Sequence, residues 1–380
     1  MSDKTGIRPM RPDEHRAVKQ LARRAFGILQ GSFVKPTDHT FVYELSGDIA
    51  GVVAIDTFTY KRNLLGGVVK WLFTDPKARG RGAAAALVDH AVAHLQDLGC
   101  HELFTTVEGY NTASSNRFAD LGFVPVSPMQ QIRRYGLGLL KIGPNTFHTI
   151  DLGHFLWARP VSTPTQQQTT QQQTTSAGGG APAWCANVLI TAALVALQRL
   201  RVGAGNELHA HLVWQLPAAI ALVFGVRSAA MKLVARRLGL ELRYRIWETG
   251  LTLAALVTVL FGGLLPSPGS HYPKPVRWSY QAELSRLSIV AFSGAFAVLA
   301  LAWLLLAHDA SALAGSPALM SDILALSVLP AQSLLVFEVL LPFFPFSSYN
   351  GRRVWDHHRM LWILLAVGAV ALFWARHAGW

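Results

Sequence analysis

The chain has 380 residues, enough for two ordinary domains, with 51% hydrophobic and only 15% charged residues. So little charge over such a length excludes an ordinary soluble protein and points to membrane content. The net charge of +12 would suit nucleic acid, but much of the excess flanks apolar runs, where Lys and Arg mark a cytoplasmic face, so no nucleic-acid partner is expected.

In chain order, Ile7-Arg8-Pro9 reads as a short first strand. Pro12-Asp13 then opens a helix with the apolar face Val18, Leu21, Ala22 and Ala25. No apolar run flanked by small residues precedes this helix, so no cleavable signal peptide is expected. The stretches Phe41–Leu45 and Ile49–Ile55 flank Ser46-Gly47-Asp48, which predicts a hairpin. Gly67–Thr74, reading GVVKWLFT, is a strand rich in β-formers. After Asp75-Pro76-Lys77-Ala78-Arg79-Gly80-Arg81-Gly82-Ala83-Ala84 comes a helix with Leu87, Val88, Ala91, Val92 and Leu95 on one face. A strand that feeds a basic, glycine-bearing loop at a helix start makes an anion site. Open backbone N–H groups and the positive helix end attract a phosphate, Gly80 and Gly82 permit close approach, and Arg79 and Arg81 add charge. Such a loop alone also serves as a plain strand-to-helix turn. It is not a Walker-type loop, because no Gly-Lys-Ser/Thr ends it.

Arg79-x-x-Gly82-x-Ala84 resembles the R/Q-x-x-G-x-G/A signature of the GNAT acetyltransferase superfamily, and Pro76 precedes it where that family often has Pro. Downstream, LFTTVEGYNTASSNRFADLGFVPV is similar to the family's next unit: a strand at Leu103–Glu108, Asn111, a short helix at Ser114–Leu121, then Gly122-Phe123. The resemblance covers about residues 5–157 and implies an α+β GNAT fold, a mixed central sheet flanked by helices. It also implies acetyl-CoA as cosubstrate and an amine acceptor that the sequence does not identify. The main-chain amides of Arg81, Gly82 and Ala84 would hold the pyrophosphate, with Gly80, Ala83 and Ser114 in the same binding set. Leu72, Phe73 and Thr74 would pair with the pantetheine arm as an added strand, and Asn111 would contact that arm. The family's usual Tyr acid falls on Phe118, a departure that leaves Tyr110 as a substitute acid or as a packing residue. Glu108 is the candidate base, or else a solvated carboxylate at a strand end. His148 and His154 line the acceptor side or belong to the core. Acceptor pockets in this superfamily come from variable segments, here Ala25–His39 and Thr57–Leu65.

Residues 161–182, VSTPTQQQTTQQQTTSAGGGAP, have nothing to bury and read as a flexible linker between domains at 1–160 and 183–380. Apolar runs near 184–200, 212–230, 248–265, 287–307, 320–345 and 360–376 predict an all-α polytopic domain in a lipid bilayer, since a crossing takes roughly 20 helical residues. Cys100 and Cys185 form neither a disulfide framework nor a CxxC pair, so a reducing compartment is the default. Within this half, Lys232–Gly239 through Trp247, Ser267-Pro268-Gly269, Pro345 and Asn350-Gly351-Arg352-Arg353-Val354 resemble elements of site-2 protease-like membrane metalloproteases. That family's H-E-x-x-H falls on Arg227-Ser228-Ala229-Ala230-Met231, and its Asp ligand on Asn350. Both His ligands and the base are lost, which implies a pseudoprotease scaffold with no metal. Glu207, His209, His211, His357 and His358 show no spacing that joins them into another metal set.

Lys232, Arg236, Arg237, Arg243 and Arg245 predict a cytoplasmic loop. If all six runs cross, Arg352, Arg353 and Arg359 fall outside. Either one run is re-entrant or the charge rule fails. Two readings result: a membrane-tethered N-acetyltransferase, or a non-catalytic coenzyme-binding regulator coupled to a pseudoprotease that grips a membrane-protein client.

Overall fold

A computed structural model describes residues 6–78, 80–146, 152–161, 179–201, 211–311, 318–343 and 345–378. Arg79, His148, Glu207, His209 and most of the expected linker lie outside the described residues. The chain divides into two units.

The first unit is built on a seven-stranded mixed sheet in the order β1-β2-β3-β4-β5-β7-β6. Its strands are β1 (Gly6–Pro9), β2 (His39–Leu45), β3 (Asp48–Lys61), β4 (Leu64–Thr74), β5 (Glu102–Glu108), β6 (Val124–Pro125) and β7 (His154–Pro160). The first three pairings are antiparallel and β4–β5 is parallel. Ser46 and Gly47, both at positive φ, turn the β2–β3 hairpin, which gives the twist that two-residue hairpins favour. A second tight turn at Arg62-Asn63 joins β3 to β4. The segment Thr57–Leu65 therefore forms the end of a long hairpin, because β3 runs on to Lys61.

Side chains alternate across a strand, so neighbours on β4 serve opposite faces. Phe73 and Val52 pack under α1 (His15–Phe26) with Val18, Leu21 and Ala22. Next to Val52 on β3, a Cβ on Gly51 would strike Leu87, and on β4 one on Gly67 would strike Leu95. Both belong to α3 (Ala83–Asp97), which covers the other face with the apolar stripe expected from its sequence. Among the described residues, the remaining helices of this unit are α2 (Ile28–Ser32), α4 (Thr112–Asp120), α5 (Pro128–Tyr135) and α6 (Leu139–Asn145). Glu102 is buried at the start of β5 and accepts hydrogen bonds from Tyr135 (2.7 Å) and Tyr60 (3.2 Å), with Arg134 2.8 Å away. Burial raises its pKa, opposed by Arg134 and the two hydroxyls.

Arg8 grips two carboxylates, Glu14 at 2.6 Å and Glu44 at 2.6 Å. The hydrogen bond from Arg8 is the main cause that holds the Glu14 pKa below its ordinary value. A lowered folded-state pKa contributes stability above the unfolded value, and that stability is lost as pH falls through the folded one. Glu14→Gln is expected to flatten the acid limb of thermal stability below about pH 4.3 and leave the neutral-to-alkaline profile parallel to wild type. Thermal unfolding at stepped pH checks this.

The second unit is mainly helical: α7 (Ala181–Arg201), α8 (Leu212–Arg237), α9 (Glu248–Phe261), α10 (Tyr280–Ser311), α11 (Ala318–Leu335, extended by a π turn at Val336–Leu340), α12 (Asn350–His357) and α13 (Arg359–His377). A two-stranded ribbon, β8 (Leu242–Arg245) with β9 (Ser270–Pro273), adds a β element to a region whose sequence reads as wholly helical. Among the described residues, five helices are long and apolar enough to cross a membrane: Ala181–Arg201, Leu212–Arg237, Tyr280–His308, Met320–Leu340 and Arg359–His377. The sixth expected run forms α9, whose 14 residues span about 21 Å against a hydrocarbon core of about 30 Å. Its two ends also meet, because β8 enters and β9 leaves side by side with Arg245 paired to Ser270. The segment between them therefore leaves the ribbon and rejoins it at the same place.

Residues Glu108–Thr112 and 152–153 belong to this second unit, although they precede α7 in sequence.

Candidate functional site

In the first unit the parallel ladder between β4 and β5 runs from Gly66↔Glu102 to Val69↔Thr105 and then stops. At that point β4 carries a register shift against β3: Ile55 faces Val69, Ala54 faces Trp71, and Lys70 is the extra residue. A bulge bends its strand and re-aims the residues beyond it. The Lys70 ammonium is anchored 2.7 Å from Asp56. Past the bulge, Leu72, Phe73 and Thr74 pair with β3 on one side through Val53, Val52 and Gly51. Among the described residues, no strand pairs with their other side. This leaves an open strand edge inside the sheet, of the kind an extended ligand can join.

The same strand leads, through Asp75 and a single 3₁₀ turn at Pro76–Ala78, into the glycine loop. Asp75 accepts the Lys77 amide (2.9 Å) and pairs with Arg24 (3.0 Å), which ties the loop base to α1. Gly80 (φ 79°) and Gly82 (φ 77°) take the left-handed conformation. A Cβ at either would meet nothing within 4 Å, so the glycines serve the backbone path and not a tight fit. Gly82 is the N-cap of α3; no side chain caps this end and no acid lies in its first turn. The first intrahelical bond runs from the Ala86 amide to the Gly82 carbonyl (3.0 Å), so the amides of Gly82, Ala83 and Ala84 precede the ladder. The Arg81 amide differs from expectation. It donates at 3.4 Å to the Ala78 carbonyl, one turn after the Ala78 amide closes the 3₁₀ turn on the Asp75 carbonyl at 2.9 Å. Arg81, Gly80 and Gly82 are exposed. An uncapped helix start with two glycines and no acid is suited to a polyanion.

Ser114 lies in α4 of the same unit. Phe118 on that helix is buried and meets Phe123 edge-on at 5.2 Å, so the position expected to carry a hydroxyl acid is filled by core. His154 is half-buried at the start of β7.

Glu108, Tyr110 and Asn111 are placed elsewhere, in the second unit. Glu108 accepts the Tyr110 amide at 2.9 Å and the Ser348 hydroxyl at 3.2 Å. Tyr110 is buried, and its hydroxyl donates to the His271 carbonyl at 3.1 Å with the Ser270 hydroxyl 3.3 Å away. The Arg353 guanidinium sits 4.0 Å above its ring and Tyr272 packs 4.6 Å from it. Burial raises the Tyr110 pKa, with Arg353 the main opposing influence. Of the two roles expected for Tyr110, its buried hydroxyl bonded to a carbonyl within an aromatic cluster matches the packing role.

The second unit also gathers residues that lie far apart in sequence. Arg227 on α8 makes a two-pronged pair with Glu338 in the π turn, at 2.9 and 3.3 Å, and donates to the Gly269 carbonyl at 3.2 Å. Asn350, the first residue of α12, donates to the same carboxylate and accepts from Arg353 at 2.9 Å. Its amide nitrogen lies 3.5 Å from the Met231 sulfur. Glu338 went unnoticed in the sequence, although a lone acid in the apolar run LLVFEVLLPFF is the signal for such a partner. Among the described residues, no group of three His, Cys, Asp or Glu side chains is arranged to hold a metal ion.

The sequence profile of the Acetyltransferase (GNAT) family matches residues 7–123, under a third of the chain, and this match and the mixed sheet give the first unit the GNAT fold. No curated relative matches the chain. Solved structures similar to it include the ribosomal-protein-S18-alanine N-acetyltransferase from Escherichia coli (15% identity, 43% of this chain and 97% of that one, TM-score 0.32). Another is a GNAT-family acetyltransferase from Streptococcus pneumoniae (17% identity, 42% and 100%, TM-score 0.31). A third is the NatC complex bound to Gag peptide and CoA (16% identity, 42% and 99%, TM-score 0.31).

Proposed function

We propose that the chain is a membrane-tethered N-acetyltransferase that moves an acetyl group from acetyl-CoA to an amine. The observation that carries this reading is the opening of β4 from β5, which leads directly into an uncapped, glycine-turned helix start. That pairing of a strand edge with an anion site matches the two ends of the coenzyme, an amide-bearing arm and a pyrophosphate, and it lies within the residues that the family profile matches. Gly82, Ala83 and Ala84 would hold the pyrophosphate through their amides. Arg79 and Arg81 supply charge, Gly80 shapes the loop, and Leu72–Thr74 receive the pantetheine amides. The reaction is attack by a neutral amine on the thioester carbonyl, which forms the C–N bond; the C–S bond then breaks to release the thiolate, and the amine's proton passes to a base or to water. With Phe118 at the usual acid position, the thiolate leaves as such, which its modest basicity permits. The test is thioester turnover by the full chain with an amine panel. Turnover that depends on acetyl-CoA and on an amine supports the reading. Coenzyme binding without turnover on any amine favours the non-catalytic regulator instead.

The five apolar helices support the tether, and their number supports a topology. With α9 returning to its own side, the chain crosses in α7 and comes back in α8. Arg243, Arg245, Lys274 and Arg277 then lie inside with the N-terminal domain, and so do Arg352, Arg353 and Arg359 after α10 and α11. The large basic clusters then all lie inside, with only Arg199, Arg201 and Arg376 at outer helix ends, and the conflict raised by six crossings disappears. We expect a cysteine placed at Lys274 to react only from the cytoplasmic face and one at Ala378 only from the outer face. Six crossings would reverse both labels.

A second reading, a pseudoprotease-like scaffold in the membrane unit, is favoured by one observation. Arg227, Met231 and Asn350, the three positions aligned with metal ligands, converge. They meet around Glu338, so a guanidinium–carboxylate pair stands where that chemistry would need a metal.

A further inference from the structure

From Pro128 to Asn145 the chain forms α5, a 3₁₀ turn at Gly136–Gly138, and α6. One side of this band is ordinary core: Tyr135 and Ile142 pack with Phe58, Tyr60 and Phe104. The outward side is not ordinary. Met129, Ile132, Leu137 and Leu140 are 54%, 58%, 86% and 74% exposed. Exposed Arg133 and Lys141 stand beside them, so apolar and cationic side chains are exposed together on α5, on the turn that Gly136 opens at φ 52°, and on α6. An outward face is normally polar, and exposed large apolar side chains in a contiguous set mark a contact surface. The charge around them has one sign. Residues 121–150 contain Arg133, Arg134 and Lys141 and neither Asp nor Glu. Arg134 pairs with Glu102, which leaves Arg133 and Lys141 on the outward face.

We infer that this face rests on the surface of an anionic lipid bilayer, with the four apolar side chains in the headgroup boundary and Arg133 and Lys141 among the lipid phosphates. Apolar residues interleaved with unopposed cations are what an interfacial segment needs. The occupant is favoured over a protein partner because a chain with five membrane-length helices keeps its own first unit near lipid. A surface too weak to bind a membrane alone is sufficient when tethered. The inference rests on the membrane reading proposed above and deepens it. An amine acceptor reached by a domain held in this way would itself be at the membrane surface.

The test uses the full chain in nanodiscs, in a Cys185→Ser background, with a spin label at Leu137→Cys or Leu140→Cys and a control label at Asp97→Cys on α3. In phosphatidylglycerol discs the labels at 137 and 140 should become accessible to oxygen and shielded from a water-soluble nickel complex, while the label at 97 stays open to nickel. Arg133→Gln and Lys141→Gln should each weaken the shielding equilibrium about fivefold, and phosphatidylcholine discs should abolish it. Labels at 137 and 140 that behave like the one at 97 in anionic discs would overturn the inference and leave the membrane reading intact. Shielding that appears only with two copies per disc, whatever the lipid, would overturn it in favour of self-association. A chain that does not enter discs at all would remove the membrane reading and this inference with it.

Discussion

Glu338→Ala is expected to destabilise the second unit by about 3–5 kcal/mol, the cost of leaving a buried guanidinium without its counter-charge. The pair is dry, with Arg227 1% and Glu338 0% exposed at the side chain. It is also fully engaged: the Arg227 fork meets both carboxylate oxygens and the Gly269 carbonyl, and Asn350 caps the acid. Four pieces of chain meet there: α8, the π turn, the coil before β9 and the start of α12. Loss of one charge therefore loosens four elements together. Exchange of both charges for apolar groups of similar volume, Arg227→Met with Glu338→Met, should recover most of the loss, because desolvation of two ions offsets most of their attraction. Thermal unfolding in one detergent, across wild type, both single variants and the double, measures the coupling. A single-variant loss below about 1 kcal/mol would mean that water reaches the pair.

Residues that obey a local rule were legible in the sequence. The α3 stripe shows because a helix repeats every 3.6 residues, and the Ser46-Gly47 turn shows because only a few residue types accept its backbone. The glycine loop was legible for the same reason: it needs positive φ and open amides, both written in Gly80 and Gly82. Tertiary placement was not. Tyr110 follows directly on β5, yet four neighbours distant in sequence, Ser270, His271, Tyr272 and Arg353, decide where it sits. Apolar composition alone counts the run at 248–265 with the crossing segments, whereas the shortness of its helix and the pairing of Arg245 with Ser270 are visible only in three dimensions. No single window of sequence contains both strands of that ribbon.

Gly82→Glu is expected to weaken acetyl-CoA binding by at least about 100-fold, the second large effect, and two physical causes contribute. The backbone at 82 sits at φ 77°, where a residue with a Cβ costs roughly 1–2 kcal/mol. The new carboxylate would also occupy the positive end of α3, the place the pyrophosphate needs, and repel it. Gly82→Ala separates the two causes. Its methyl meets no neighbour within 4 Å, so only the backbone strain remains, and the loss should be about 5- to 30-fold. Calorimetry of acetyl-CoA against the full chain in detergent measures all three proteins. A large loss in the Glu variant with a small one in the Ala variant locates the pyrophosphate at the α3 start. Equal losses would assign the effect to the loop path alone, and wild-type affinity in the Glu variant would move the coenzyme away from this loop. The Glu variant is a fair probe because position 82 is exposed and its substitution disturbs no core contact, so its unfolding temperature should stay close to that of Gly82→Ala.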